Sequence, residues 1–156
     1  DFSTCTGVKR RQEVLLDTTK RVVLSDFAHH PTAIAGALES LRARWPNREI
    51  IACFEPRSNT AVTNVFEDRF ADALALADVA LLGAVHRAEK IPVEKRISPA
   101  NMMERIKDHG KKGYAFSSNQ ELEEFLRQYS YSKPALVVFF SNGSFDGVIG
   151  RFAQSQ

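Results

Sequence analysis

The sequence predicts an α/β fold, a doubly wound and mostly parallel sheet. Two observations carry this. β-like and helical segments alternate along the chain, and the later β-like segments are continuous apolar runs. Continuous runs mark strands covered on both faces, as in parallel sheets. Right-handed crossovers between such strands then lay helices on both sides of the sheet.

Taken in order, residues 11–17 and 21–27 read as two short strands joined by a Thr18-Thr19-Lys20 turn. A helix follows over residues 31–45, because Ile34, Ala37, Leu38, Leu41 and Trp45 fall at helical spacing. Pro31 suits its first turn, where a missing N–H costs nothing, and Pro46 with Asn47 ends it. Residues 49–54 form an apolar strand. A helix over residues 64–76 gathers Phe66, Phe70, Ala73 and Leu74 on one face, and Asn64 and Glu67 have capping-box spacing. Residues 79–85 are another apolar strand. The longest irregular stretch, residues 86–96, has mixed charge and one proline and reads as an exposed loop. Ser98 and Pro99 open a third helix carrying Met102, Met103 and Ile106. Residues 113–116 are a short strand. Ser118 and Glu121 form a second capping box, on a helix that buries Leu122, Phe125, Leu126 and Tyr129. Residues 135–140 are the last strand, and residues 143–150 lead into a short terminal helix.

A chain of 156 residues suits one domain with a single core. Its 44% hydrophobic and 26% charged residues are ordinary for a globular protein. A net charge of +2, from 21 basic and 19 acidic residues, argues against nucleic acid and against a membrane surface as partners. The longest clean apolar run, residues 135–140, falls far short of the roughly 20 residues of a membrane span. The N-terminus lacks a basic stretch leading into an apolar run, so no signal peptide is expected. Cys5 and Cys53 have no metal-ligand company and suggest no disulfide scaffold, and Cys53 reads as a buried thiol. A reduced, cytoplasmic protein is expected. Since the chain opens at Asp1 without methionine, it is expected to come from a longer polypeptide.

Open α/β sheets bind ligands beyond the carboxyl ends of their strands. Three strand ends here run into dense polar sequence: Asp26-Phe27-Ala28-His29-His30-Pro31-Thr32, Glu55-Pro56-Arg57-Ser58-Asn59-Thr60, and Ser141-Asn142-Gly143-Ser144-Phe145-Asp146. A cleft lined by these loops is the expected site. Plainer readings exist for the same residues. Asp26 suits a cap for the helix at Pro31, Arg57 suits a surface pair with Glu55, and His29 and His30 suit ordinary loop positions. Adjacent residues in extended chain point opposite ways, so the two histidines are poor metal geometry and no metal site is expected. Neither GxxxxGK[ST] nor GxGxxG occurs in the sequence. A doubly wound domain without a phosphate loop binds another ligand or borrows that loop from a neighbouring domain.

The stretch from Asp26 to Thr32 resembles the signature that opens the C-terminal domain of the Mur ligases. Gly7-Val8-Lys9-Arg10-Arg11-Gln12-Glu13 resembles that family's hinge between central and C-terminal domains. The stretches at Glu55 to Thr60 and Ser141 to Phe145 resemble those of one branch, which joins the tripeptide L-alanyl-γ-D-glutamyl-meso-diaminopimelate to UDP-N-acetylmuramate. The likeness covers about residues 7–152. Ser144 stands where the branch has glycine, and Ala61 where it has methionine.

The resemblance implies that residues 1–10 belong to the hinge or the end of a central domain, and residues 11–156 to the C-terminal domain. It implies an ATP-dependent, amide-forming ligase of peptidoglycan recycling, using ATP and Mg²⁺. A carboxylate is phosphorylated and the peptide amine then displaces phosphate, so catalysis rests on positioning and on cationic groups. The N-terminal and central domains of the same chain would bind the UDP-sugar and supply the phosphate loop and metal ligands. The C-terminal domain would close over the nucleotide, exclude water and present the amine, and would be inactive alone. Carried over residue by residue, Arg11, with Arg10 beside it, would reach the ATP phosphates, for which a guanidinium fork is suited. Asp26 would accept hydrogen bonds from the ribose, and His29 would lie near the reaction centre as the catalytic histidine. Arg57 would grip the diaminopimelate carboxylate, and Asn59, Ser144 and Phe145 would line the rest of the peptide pocket. The alternatives are the branch that adds L-alanine to the same acceptor, against which the Glu55 to Thr60 stretch argues, and a non-catalytic α/β binding module.

Overall fold

Alternate residues of the central strands feed two separate cores. Val22, Leu24, Ile50, Ala52, Phe54, Leu136, Val138 and Phe140 pack on one face of the sheet, while Val23, Ile51, Cys53, Val137 and Phe139 pack on the other. Both sets are removed from water, which is why these strands read as unbroken apolar runs. The computed structural model describes residues 12–58 and 60–156. Arg10, Arg11, Asn59, Cys5 and the proposed hinge at residues 1–10 lie outside the described residues.

The elements run β1 (Glu13–Asp17), β2 (Arg21–Asp26), α1 (Pro31–Arg44), β3 (Glu49–Phe54), α2 (Glu67–Leu74), β4 (Val79–Leu82), α3 (Pro99–Asp108), β5 (Lys112–Ala115), α4 (Asn119–Gln128), β6 (Ala135–Phe140) and α5 (Val148–Ser155). They form a six-stranded sheet of order β1-β2-β6-β3-β4-β5. β1 pairs antiparallel with β2, and the other neighbours are parallel. The expected α/β, doubly wound, mostly parallel fold is the one observed. Ile34, Leu38 and Leu41 of α1, Phe70 and Leu74 of α2, and Met102 and Ile106 of α3 cover the first face. Leu122 and Leu126 of α4, with Val148 and Phe152 of α5, cover the second. Each large side chain buried this completely contributes about 1.5–3 kcal/mol, and the stacked Phe54 and Phe70 rings lie 4.9 Å apart.

The sheet aligns its carboxyl ends. Asp26 pairs with Phe140, Phe140 with Phe54, Phe54 with Leu82, and Leu82 with Ala115. The loops after these strands therefore leave from one level. β6 sits between β2 and β3, and its connection leads to α5 on the second face. The connections from β2 and β3 lead to α1 and α2 on the first face. Diverging connections on both sides of β6 open the sheet edge there, the situation that makes a ligand crevice.

Several boundaries moved. β4 ends at Leu82, because Gly83 still bonds to the Phe54 carbonyl but Ala84 turns its N–H to Asn119. α2 begins at Glu67 and its expected capping box is absent. Asn64 donates to the Glu94 carbonyl, and the Glu67 carboxylate accepts the Ser98 N–H at 2.7 Å, tying α2 to the start of α3. The second box forms in part. Ser118 Oγ accepts the Glu121 N–H, but the Glu121 carboxylate reaches back to Ser117 instead of Ser118. Residues 86–96 hold two short 3-10 turns, Ala88–Lys90 and Val93–Lys95, and a bridge between Thr63 and Arg96 follows. Cys53 is a free, buried thiol, and burial pushes its pKa up. No helix among the described residues is long and apolar enough to cross a membrane.

Candidate functional site

Asp26 closes β2 with 1% of its surface exposed, and its Oδ1 accepts the Ala28 N–H at 2.8 Å. That turn steers the chain out of the sheet, so Asp26 is not the cap of α1. His30 is the N-cap residue and makes no side-chain cap bond, while Pro31 occupies the first turn as expected. His29 Nδ1 lies 2.9 Å from the Phe27 carbonyl. A carbonyl only accepts, so Nδ1 is the donor in this contact. The His29 and His30 rings pack with centroids 4.6 Å apart, and Phe27 meets His29 edge-on at 5.5 Å. The expectation that the histidines point opposite ways fails, because the chain here turns and is not an extended strand. Among the described residues no group of three or more His, Cys, Asp or Glu gathers as a metal would need.

This turn borders a cleft of about 500 Å³. Asp26, Phe27, His29 and His30 form one side, and Ala33, Gly36 and Ala37 of α1 form the other. Small residues at positions three and four apart leave a flat helix face. A Cβ added at Gly36 would meet nothing within 4 Å, so the wall is open there.

The second half of the site lies at the ends of β3 and β6. Glu55 is 3% exposed. Ser141 Oγ donates to its Oε1 at 2.6 Å, and Asn119 Nδ2 donates to its Oε2 at 3.0 Å. Arg57 Nη1 stands 3.6 Å from the same Oε2, with 31% of its side chain exposed. The pair with Glu55 given by the plainer reading is present, but loose. The Arg57 side chain lies over Gly143, where a Cβ would come within 2.5 Å of Nε. Ser141 links the neighbouring ends: its N–H donates to the Asp26 carbonyl, and its Oγ accepts the Gly143 N–H.

Asn119, the first residue of α4, completes the network. Its Oδ1 accepts the Ala84 N–H at 3.0 Å, and its Nδ2 donates to Asp146 Oδ2 at 2.9 Å as well as to Glu55. The sequence reading missed Asn119 and Asp146 as partners, and took Glu55 only as a companion of Arg57. Asn119 borders a second depression with Ser118, Gln120, Glu123, Asp146 and Arg151. There hydrogen bonds from Arg151, and after it Arg127, hold the Glu123 carboxyl below its usual range.

Phe145 needs correcting as a pocket-lining residue. Its ring is fully buried and meets Phe139 edge-on at 5.4 Å, so it props the loop from beneath. Phe145, Asp146 and Gly147 all have positive φ, at 57°, 55° and 80°. Left-handed backbone costs an L-residue about 1–2 kcal/mol. The burial of Phe145 and the Asn119–Asp146 bond offset that cost. Ser144 is exposed beside them. The structure thus brings Asp26 and His29 together at one cleft, and Arg57 and the Ser144 loop at the adjoining strand ends.

The family described as Mur ligase, glutamate ligase domain, matches residues 10–143. A UDP-N-acetylmuramate–L-alanine ligase from Sulfurihydrogenibium sp. is 32% identical over 121 residues, which are 78% of this chain and 26% of that protein. A murein peptide ligase from Psychrobacter arcticus is similar in structure, with a TM-score of 0.72 and 27% identity over 94% of this chain and 30% of that one. A domain attributed to a UDP-N-acetylmuramate:L-alanyl-γ-D-glutamyl-meso-diaminopimelate ligase from Haemophilus ducreyi shares the fold. Its TM-score is 0.68 at 23% identity, over 93% of this chain and 98% of that domain. The chain thus spans 26% of the Sulfurihydrogenibium relative's length.

Proposed function

The chain belongs to the Mur ligase family as its glutamate ligase domain, and from that premise we propose that it serves an ATP-dependent ligase joining L-alanyl-γ-D-glutamyl-meso-diaminopimelate to UDP-N-acetylmuramate. The observation that carries this reading is Arg57. Its guanidinium is partly exposed at the end of β3, and the buried carboxylate behind it is already satisfied by Ser141 and Asn119. The remaining N–H groups are available to a substrate carboxylate, for which a guanidinium fork is the strongest ordinary partner. The match to the murein peptide ligase supports the same choice.

In this reading Asp26 accepts hydrogen bonds from the ATP ribose in the cleft, and His29 stands beside the nucleotide near the reacting groups. Arg11 and Arg10 approach the phosphates, and Asn59 and Ser144 flank the peptide. The amine attacks the acyl phosphate of UDP-N-acetylmuramate, phosphate leaves and an amide forms. This domain holds the amine in place and keeps water out. On this reading the Mg²⁺ of such a reaction would be held mainly by the remaining domains of the ligase. There it would neutralise charge on the transferring phosphoryl group.

A second reading, the ligase that adds L-alanine, is favoured by the 32% identical relative of that name. Phosphate release by the full-length ligase separates the two. With ATP, Mg²⁺ and UDP-N-acetylmuramate present, release on adding the tripeptide but not L-alanine is expected. Release with L-alanine alone assigns the chain to the second reading. Release with neither, together with no G-T-x-G-K-[TS] loop elsewhere in the polypeptide, leaves a binding module.

A further inference from the structure

We propose that Asn119 is a positioning residue: it keeps the Arg57 guanidinium turned towards substrate by occupying the buried Glu55 carboxylate that would otherwise capture it. The consequence for catalysis rests on the reading of Arg57 as the receiver of a substrate carboxylate.

Glu55 is 3% exposed. A buried carboxylate draws in every donor within reach, because an uncompensated buried charge is strongly unfavourable. Ser141 takes Oε1 at 2.6 Å and Asn119 takes Oε2 at 3.0 Å. Arg57 Nη1, at 3.6 Å from that same Oε2, lies beyond the roughly 2.7–2.9 Å of a charge-assisted hydrogen bond. The guanidinium is attracted but not engaged. Without the Asn119 donor, Arg57 is the replacement nearest to Oε2, and closing that gap turns it inward from the surface.

Asn119 is built for this task. Its Oδ1 accepts the Ala84 N–H, which fixes the orientation of the amide. Its NH₂ then faces two carboxylates, Glu55 and Asp146, and gives one N–H to each. Aspartate would put a third carboxylate among them. The Ser118 cap fixes the first turn of α4. Gly83 leaves the room: a Cβ there would come within 2.4 Å of Asn119 Oδ1.

The test compares Asn119→Ala, Asn119→Ala with Glu55→Gln, and Asn119→Ala in an Arg57→Ala background. In the full-length ligase, Asn119→Ala is expected to raise the KM for tripeptide about tenfold, as loss of a charge-assisted contact would, with the KM for ATP unchanged. Adding Glu55→Gln restores it, because a neutral carboxamide draws Arg57 far less than a buried carboxylate does. A merely structural role gives no such rescue. In the Arg57→Ala background the Asn119 change adds nothing. Additive effects, or a double variant worse than the single one, overturn the proposal. If Asn119→Ala does not fold, Gly83→Ala displaces the same carboxamide and is held to the same outcomes. If Arg57→Ala leaves the tripeptide KM unchanged, the clamp reading fails. Hydrogen exchange at Arg57 Nε in the 156-residue chain then decides the positioning role separately. Exchange slowed by Asn119→Ala and restored by Glu55→Gln supports it, and unchanged exchange overturns it.

Discussion

Arg57 is where a single side chain carries the most. Its guanidinium rests on Gly143, faces solvent and stands 3.6 Å from a buried carboxylate. Arg57→Ala in the full-length ligase is expected to raise the KM for tripeptide far more than that for ATP. Removing one partner of a desolvated charge pair costs about 2–5 kcal/mol, and the loss here belongs at the lower end, because the site is partly exposed. Equal effects on both substrates, measured by steady-state phosphate release, would sink the clamp. Arg57 and Asp26 were legible because each lies in a polar stretch at the carboxyl end of an apolar strand. Asn119 was not. Its partners Glu55 and Asp146 lie 64 and 27 residues away, and a polar residue after a serine cap is unremarkable in sequence. Phe145 was misplaced because its motif neighbours are polar loop residues, whereas the left-handed turn at 145–147 swings its ring into the core.

At the level of elements, apolar runs located every central strand, and tertiary contacts set their ends. Asn64 and Glu67 have the spacing of a capping box, yet each is claimed by a partner outside α2. Local pattern does not reveal that competition. Ser118 does cap α4, accepting the Glu121 N–H at 3.1 Å. Ser118→Ala is expected to lower stability by about 1 kcal/mol, the usual value of such a cap. A urea midpoint unchanged from wild type would refute it. α2 and α3 are also joined by charge. The Asp72 carboxylate accepts from Arg105 at 2.7 Å and from His109 at 2.8 Å. The Arg105 hydrogen bond chiefly, and His109 after it, lower its pKa from the ordinary 3.8 to about 2. A depressed carboxyl stabilises the fold fully above 3.8, and that contribution is lost as pH falls through about 2. Both partners are about half exposed, so the effect is modest. Asp72→Asn should therefore be slightly less stable than wild type in urea at pH 7, with the gap closing towards pH 2. A gap that persists below that pH would give Asp72 a role other than its charge.

For the molecule as a whole, alternation of strands and helices announced the fold class but not the strand order. Many orders share one alternating pattern. The insertion of β6 between β2 and β3 depends on which helices cover which face, and that is decided by packing. It is this insertion that splits the strand-end loops into the cleft at Asp26 and the polar network at Glu55, so the site is a product of topology more than of any one motif. The same division predicts what the chain cannot do alone. On the proposed reading Asp26 and the flat face of α1 take the ribose and the ring of ATP, but the sequence has no glycine-rich phosphate loop. Most of the affinity for a triphosphate comes from such a loop and its lysine. With only the nucleoside end held, binding by the 156-residue chain is expected to be millimolar or weaker, roughly 4 kcal/mol or less. Titration calorimetry with ATP checks this. Micromolar binding would mean that this domain carries its own phosphate site, and the division of labour between it and the rest of the ligase would have to be redrawn.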